Sequence, residues 1–406
     1  MNGDAGEVRI ERIRAVRTAP EGIRLVIVKV ETSTPGLYGL GCATFTQRPL
    51  AVCSAIEDYL DPLLRGADAQ QIEDCWHVAR LSSYWRDGPV LNNALGGVDM
   101  ALWDLKGKIA GLPLYQLLGG KLRASARVYV HAHGRDASEV TDSARALLEA
   151  GFSAVRCQVG VAGAGTYGVG AAGTATQQVA FDPDRYARVV PALFAHLRDE
   201  LGWDVDLLHD THERLAPPAA VRLARELEPF GLYFLEDVVA PEDHGWLEHL
   251  RRHAAVPLAI GELATRGEDL AALAVGRLVD YLRPHLSDLG GITPARKLAA
   301  LAEAFGVRMA WHGPGDASPV AHAANLHLDL ALSNFGIQEW TPLTDASREV
   351  FPGAPTIDAG ALVANEQPGL GIDLDERAAA RHPYPEDNLN GSWRPVRLAD
   401  GSVIRP

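Results

Sequence analysis

The chain has 406 residues, with 38 lysines and arginines against 52 aspartates and glutamates, for a formal charge of -14. That acidic balance excludes nucleic acid and an anionic membrane as main partners, so a small anionic substrate needs a metal or a local cluster of cations. The length exceeds what one hydrophobic core serves, so a large domain with a smaller one is expected.

Met1 to Pro20 alternates charge with apolar residues and holds no signal-like apolar core. No later run approaches the ~18 apolar residues of a membrane span. A cytoplasmic protein is expected. Cys42, Cys53, Cys75 and Cys157 form no CxxC pair, which fits free thiols in a reducing compartment. Val8 to Phe45 reads as strands: Ile23 to Val30 alternates, Thr34-Pro35-Gly36 turns, and Tyr38 to Phe45 returns. Leu50 to about Ile109 takes helical spacing, which makes residues 1–120 an α+β capping domain.

Beyond Gly120, short β-branched runs alternate with amphipathic helices. Expected strand ends lie near His131, Gln158, Asp210, Glu236, Glu262, His285, His312 and Glu339. The last six are 26, 26, 23, 27 and 27 residues apart, close to one β/α unit each. The fold expected is therefore α/β, a TIM-type (β/α) barrel over residues 121–370, with residues 371–406 returning to the capping domain. Between strands six and seven the helix is predicted to start with Thr293 as N-cap and Pro294 in its first turn, and to stop at Gly306.

Three successive strands end in carboxylates: Asp210 in LLHD, Glu236 in YFLED and Glu262 in AIGE. A strand-end acid is commonly a helix N-cap or a surface group, but glutamate is a poor N-cap. Three in register would converge on the C-terminal mouth of the barrel and repel one another unless a cation lay between them. An all-oxygen site suits Mg²⁺. His212, two residues after Asp210, faces the same side if the strand continues, and is a candidate general acid. His312 and Asp316 in WHGPGDASP and Glu339 in IQEW are placed to read substrate hydroxyls, and Arg283 to grip a carboxylate with its fork. Each of these also has an ordinary loop or core reading.

The glycine- and alanine-rich stretch Gly160 to Gly173 contains GAGTYG, a literal GxGxxG match. No amphipathic helix opens at its end, so a dinucleotide site is not expected. Tyr167 within it becomes a base only if its pKa falls well below ~10, and Arg156 could supply the positive field.

The segment Asn93-Ala-Leu-Gly-Gly-Val-Asp-Met-Ala-Leu-Trp-Asp-Leu-Lys-Gly-Lys108, followed by Pro113 to Gly120, resembles the helical hallmark of the enolase superfamily's capping domain. Within that superfamily the chain is most similar to the mannonate and gluconate dehydratases. The pieces that carry this are YWRDGPV (84–90), VYVHAHG (128–134), AVRCQ (154–158), TYG (166–168), HDTHERL (209–215), HGPGDASPV (312–320) and IQEW (337–340). The resemblance implies that Asp210, Glu236 and Glu262 bind Mg²⁺, with Glu262 also next to substrate. It makes Tyr167, assisted by Arg156, the base and His212 the acid, and puts His131, Arg283, His312, Asp316 and Glu339 on the substrate. It further implies a homo-oligomer. The reaction would abstract the α-proton of a sugar acid and expel its 3-hydroxyl, giving a 2-keto-3-deoxy acid.

The comparison also separates the chain from other branches. Muconate-cycloisomerase-like members use lysines on strands two and six, which are absent here. Mandelate-racemase-like members pair a strand-seven histidine with a strand-six aspartate, and that place here is His285. The chain departs from the dehydratase pattern at Thr44 to Pro49, in the loop after strand two, and at Ser402 to Pro406, where the usual aromatic pair is missing. Three readings follow: a mannonate or gluconate dehydratase, a diverged member with the metal site intact and another or no common substrate, and a magnesium-stabilised binding protein without chemistry.

Overall fold

The computed structural model describes residues 7–161, 180–386 and 396–405. The first domain opens with an antiparallel sheet of β1 (Ile10–Thr18), β2 (Leu25–Thr32) and β3 (Tyr38–Cys42). Its apolar residues alternate, and the inner set lies on the helix Pro89–Ala110. Contact there is close: a Cβ at Gly41 would fall 1.9 Å from the Gly97 carbonyl oxygen, so both NALGG and YGLGC need glycine for sheet and helix to meet.

Eight parallel strands follow: β4 (Ala126–Gly134), β5 (Ala154–Val159), β6 (Asp206–Asp210), β7 (Phe234–Glu236), β8 (Leu258–Ile260), β9 (Tyr281–Leu282), β10 (Arg308–Met309) and β11 (Gln338–Glu339). Each pairs with the next from β4 to β10, and β11 pairs with β4. Residues just before β11 close the ring, with Met309 and Gly336 exchanging backbone bonds with the facing segment. This is the barrel expected from the spacing. Its floor is an apolar layer with one residue from each strand or directly beside it, Tyr129, Ala154, Leu208, Phe234, Ala259, Tyr281, Ala310 and Ile337, in which large and small side chains share the space.

The helix after β9 corrects one sequence expectation. It spans Ile292–Ala304 with Gly291 as N-cap, at φ 105°, so Thr293 lies inside the first turn. The Thr293 N–H donates to Asp99 Oδ2 at 2.9 Å, and Trp103 Nε1 donates to the Thr293 hydroxyl at 2.9 Å. The cap arrives from the helix of the other domain, 194 residues away, which no local pattern signals. Asp99 is buried, and that burial pushes its carboxyl up to about 7.

Residues 376–381 form a helix beside β1, tied by Glu376 to Arg14 and Lys29 at 2.5 and 2.7 Å. Residues 396–405 lie elsewhere, over the barrel: Phe181 N–H donates to the Arg397 carbonyl at 2.8 Å, and Arg405 reaches Asp243 at 2.8 Å. Among the described residues the ties to the capping sheet come from the earlier segment. All four cysteines are buried free thiols. Among the described residues no helix is long and apolar enough to cross a membrane.

Candidate active site

Because side chains in a strand alternate, the residue two past each floor position must also point inward, one layer nearer the mouth. Counting two on from the floor gives His131, Arg156, Asp210, Glu236, Gly261, Arg283, His312 and Glu339. Seven of the eight are site residues expected from sequence. The eighth, Gly261, corrects the expectation that Glu262 lies in register with Asp210 and Glu236. β8 ends at Ile260, and Gly261 takes φ 147°, where a Cβ would sit 3.0 Å from the Arg283 backbone. The chain turns there, and Glu262 enters the mouth from above the ring.

Ion pairs knit this layer together. Arg156 Nη1 lies 2.5 Å from Glu236 Oε1, 3.2 Å from Glu339 Oε1 and 3.4 Å from Asp210 Oδ2. Arg283 Nη2 is 2.7 Å from both Glu236 and Glu339, its Nη1 is 2.7 Å from Glu262, and its Nε donates to Tyr129 Oη at 3.0 Å. With 0 % exposure, Arg283 has its fork fully engaged beneath the carboxylates. The expected grip on a substrate carboxylate is thus corrected: three acids from three strands converge on it and hold it inward. Tyr129, which also donates to Glu236 at 3.2 Å, is a site residue that sequence reasoning missed.

Asp237 was missed as well, although the Glu-Asp pair ending YFLED was the available signal. It is buried at φ 40°, and its ligand atoms lie within 4.8 Å of those of Asp210 and Glu236. Asp210, His212 and Glu262 form a second such group. The three expected carboxylates are therefore joined through Asp210, because the two arginines draw Glu236 inward. His212 reaches the group by a different route from strand alternation. The strand stops at Asp210, His212 takes φ 52°, its N–H donates to Asp210 Oδ1 at 2.7 Å, and its Nε2 lies 3.5 Å from Glu262.

The electrostatics define what the site can hold. Among the described residues, five buried carboxyl groups, Asp210, Glu236, Asp237, Glu262 and Glu339, face two guanidinium groups, Arg156 and Arg283. Burial drives the Glu236 carboxyl well above its ordinary range despite both arginines, and burial together with Glu262 does the same to Asp237. Burial also opposes ionisation of Glu262 and Glu339, yet His312 and Arg283 lower the first, and Arg283 and Arg156 hold the second well below that range. Acids that resist ionising beside acids that stay charged are what a cluster built around a missing positive charge looks like. The candidate ligand groups are hard carboxylate oxygens with one imidazole, that of His212, among them, so the residues fit a magnesium-like divalent cation.

Around this centre, His131 Nε2 lies 2.8 Å from Glu339 Oε1. His312 Nε2 is 3.3 Å from Glu262 and 3.8 Å from Glu339, and its Nδ1 is 2.9 Å from His285 Nδ1. Burial pushes His312 down to about 3 and His285 down to about 4. Asp316 accepts from the Thr46 hydroxyl at 3.3 Å, which brings the capping-domain loop 44–49 onto the mouth. Tyr167 lies outside the described residues.

Comparison with known proteins accords with this geometry. Residues 7–119 match the mandelate racemase / muconate lactonizing enzyme N-terminal domain, and residues 139–378 match the enolase C-terminal domain-like family. The chain belongs to the sugar-acid dehydratases of the enolase superfamily. It is 51% identical to the D-galactonate dehydratase family member RspA of Pantoea ananatis, over 98% of this chain and 99% of that one. A D-galactonate dehydratase family member of Musicola paradisiaca is 50% identical, over 98% and 100%. A crystal structure of an enolase from Pantoea ananatis with bound D-gluconate and Mg superposes with a TM-score of 0.94 at 50% identity, covering 98% of this chain and 100% of that one. In this dehydratase, then, the carboxylate cluster at the barrel mouth is the candidate active site.

Proposed function

We propose that the protein dehydrates an aldonic acid of the D-gluconate or D-mannonate type to a 2-keto-3-deoxy acid, with Mg²⁺ as its cation. Asp210, Glu236 and Glu262 would hold the ion, which when bound stabilises negative charge on the substrate carboxylate as the α-proton leaves. Tyr167, with Arg156 supplying a positive field, is the proposed base. His212 gives a proton to the departing 3-hydroxyl, so that one proton leaves carbon 2, one joins the hydroxyl, and water and an enol result. The enol then becomes the keto acid. His131, His312, Asp316 and Glu339 orient the substrate, and Arg283 acts beneath them by holding Glu236, Glu262 and Glu339 in place. The observation that carries this reading is His212 Nε2 poised 3.5 Å from Glu262, inside a cluster whose carboxyls outnumber its guanidinium groups among the described residues. The D-gluconate and Mg named in the Pantoea ananatis structure support both substrate class and ion.

The test is turnover of the purified protein with Mg²⁺ across aldonic and aldaric acids, reading 2-keto-3-deoxy product, with His212→Asn alongside. Activity lost in that variant supports the assignment, whereas silence on every acid with Mg²⁺ still bound overturns it. The Thr46 contact with Asp316 favours a second reading, in which loop 44–49 has shifted the preference to another sugar acid. The same screen would reveal it as turnover of an acid other than gluconate or mannonate. The proposal also takes the enzyme to be a cytoplasmic homo-oligomer, and its mass in solution by light scattering tests the assembly.

A further inference from the structure

Of the three carboxylates proposed to hold the cation, two are placed by the barrel itself, since Asp210 and Glu236 are the last residues of β6 and β7. Glu262 lies beyond the end of β8, so something other than the strand must set it. It sits on a turn, Gly261 to Thr265, whose near end is fixed on the barrel. The Gly261 N–H donates to Asp237 Oδ1 at 3.3 Å, and the Ala264 N–H donates to the Gly261 carbonyl at 3.1 Å. Packing holds the middle of the turn weakly, because Leu263 is 51% exposed and Ala264 buries only a methyl group. The far end is held from the other domain. Asn92, near the start of the helix Pro89–Ala110, donates through Nδ2 to the Thr265 carbonyl at 2.5 Å and to the Asp288 carbonyl, in the loop after β9, at 2.6 Å. Both partners are backbone carbonyls, which only accept, so the nitrogen side of the amide must face them and both of its hydrogens are committed. Asn93 adds a bond to the Asp288 carboxylate, and both asparagines are buried between the domains.

We infer that Asn92 is a positioning residue for Glu262: by tying the turn 261–265 to the loop after β9, it sets where that carboxylate stands in the mouth. The capping domain thereby takes part in cation binding without supplying a ligand. Glu262 lies 2.7 Å from Arg283, 3.3 Å from His312 and 3.5 Å from His212, a fit that a small swing of the turn would undo. Two residues separate Glu262 from Thr265, and Gly261, at φ 147°, is the pivot on the other side, so movement of the Thr265 carbonyl passes directly to the carboxylate. Partners that orient a ligand typically change metal affinity by about 10- to 100-fold. The consequence for the cation rests on the proposed role of Glu262, whereas the hold on the turn does not.

The test compares the full-length protein with Asn92→Ala, which leaves room for water at both carbonyls, and with Asn92→Asp, which keeps the shape but turns an acceptor toward them. Trp76→Phe is the control, because it removes the 2.9 Å bond from Trp76 Nε1 to the Gly290 carbonyl on the same seam and leaves the turn alone. Two quantities are read: Mg²⁺ affinity by calorimetry, and hydrogen exchange at the Ala264 amide without the ion. Both Asn92 variants should bind Mg²⁺ about 10- to 100-fold more weakly and exchange Ala264 faster, with Trp76→Phe matching the wild type in both. Wild-type Mg²⁺ affinity in Asn92→Ala, or equal weakening in Trp76→Phe, overturns the proposal. Should Asn92→Asp fail to fold, Asn92→Ala decides. If the wild type binds no Mg²⁺, the cation assignment itself fails, and unchanged Ala264 exchange in Asn92→Ala would then overturn the hold on the turn.

Discussion

Two layers of the same barrel, one residue-pair apart along each strand, have opposite chemistry. The floor contains only apolar and tyrosine side chains, and the layer above it holds acids, arginines and histidines with a single glycine. The strands build both with one periodicity, so polarity reverses within about 7 Å, the advance of two residues. The floor is stabilised by packing and needs nothing from solution. The upper layer is held by ion pairs that leave an excess of buried carboxyls, and it needs a cation to be complete.

The first way to sharpen that contrast is through catalysis. His212→Asn should lower kcat on the best sugar acid by roughly 10²- to 10⁴-fold while leaving the melting temperature nearly unchanged, since the ring packs beside the mouth and not into the floor. Stability comes next. Phe234→Ala in the floor should cost about 3–5 kcal/mol by opening a cavity, and Arg283→Met in the upper layer a similar amount by leaving acids unpaired. The two differ in how they respond to Mg²⁺, and urea titrations with and without the ion will show it. Saturation at 100 times its dissociation constant should add about 2.7 kcal/mol to the Phe234 variant as it does to the wild type. At the same Mg²⁺ concentration the Arg283 variant, with more carboxylate free to bind the ion, should gain more, and equal gains would break the distinction between layers. The smallest effect is expected at the rim. Thr46→Val removes one hydrogen bond to Asp316, worth about 0.5–1.5 kcal/mol, and should shift KM among sugar acids while leaving Mg²⁺ affinity unaltered.

The barrel and most of its upper layer were legible because a strand's period is short and the strand ends are regularly spaced. Asp210, Glu236, His312 and Glu339 sit at those spaced strand ends, Arg156 lies just before the strand end read at Gln158, and His131 enters as a site residue only through the family resemblance. What sequence hid was convergence. Arg283 reads as an available cation until Glu236, Glu262 and Glu339 are brought against it from three other strands. Glu262 reads as in register until the Arg283 backbone is seen to leave no room for a side chain at 261. Asp237 went unnoticed because Glu236 beside it in YFLED already filled the expected ligand place, and Tyr129 because its bond to Arg283 joins residues 154 apart. Thr293 looked like a cap because serine, threonine and proline near a helix start normally signal one, whereas the acceptor is Asp99 of the other domain.

That last bond has implications for how such a protein can be divided. The helix Ile292–Ala304 completes its first turn with a carboxylate it does not own, and Trp76 Nε1 donates to the Gly290 carbonyl just ahead of it at 2.9 Å. A barrel separated from its cap, or joined to the cap of a distant relative, would begin this helix with an unanswered amide and a bare carbonyl. Recombination between such proteins is therefore constrained at a seam: Trp76 and Asp99 on one side must travel with Gly290 and Thr293 on the other.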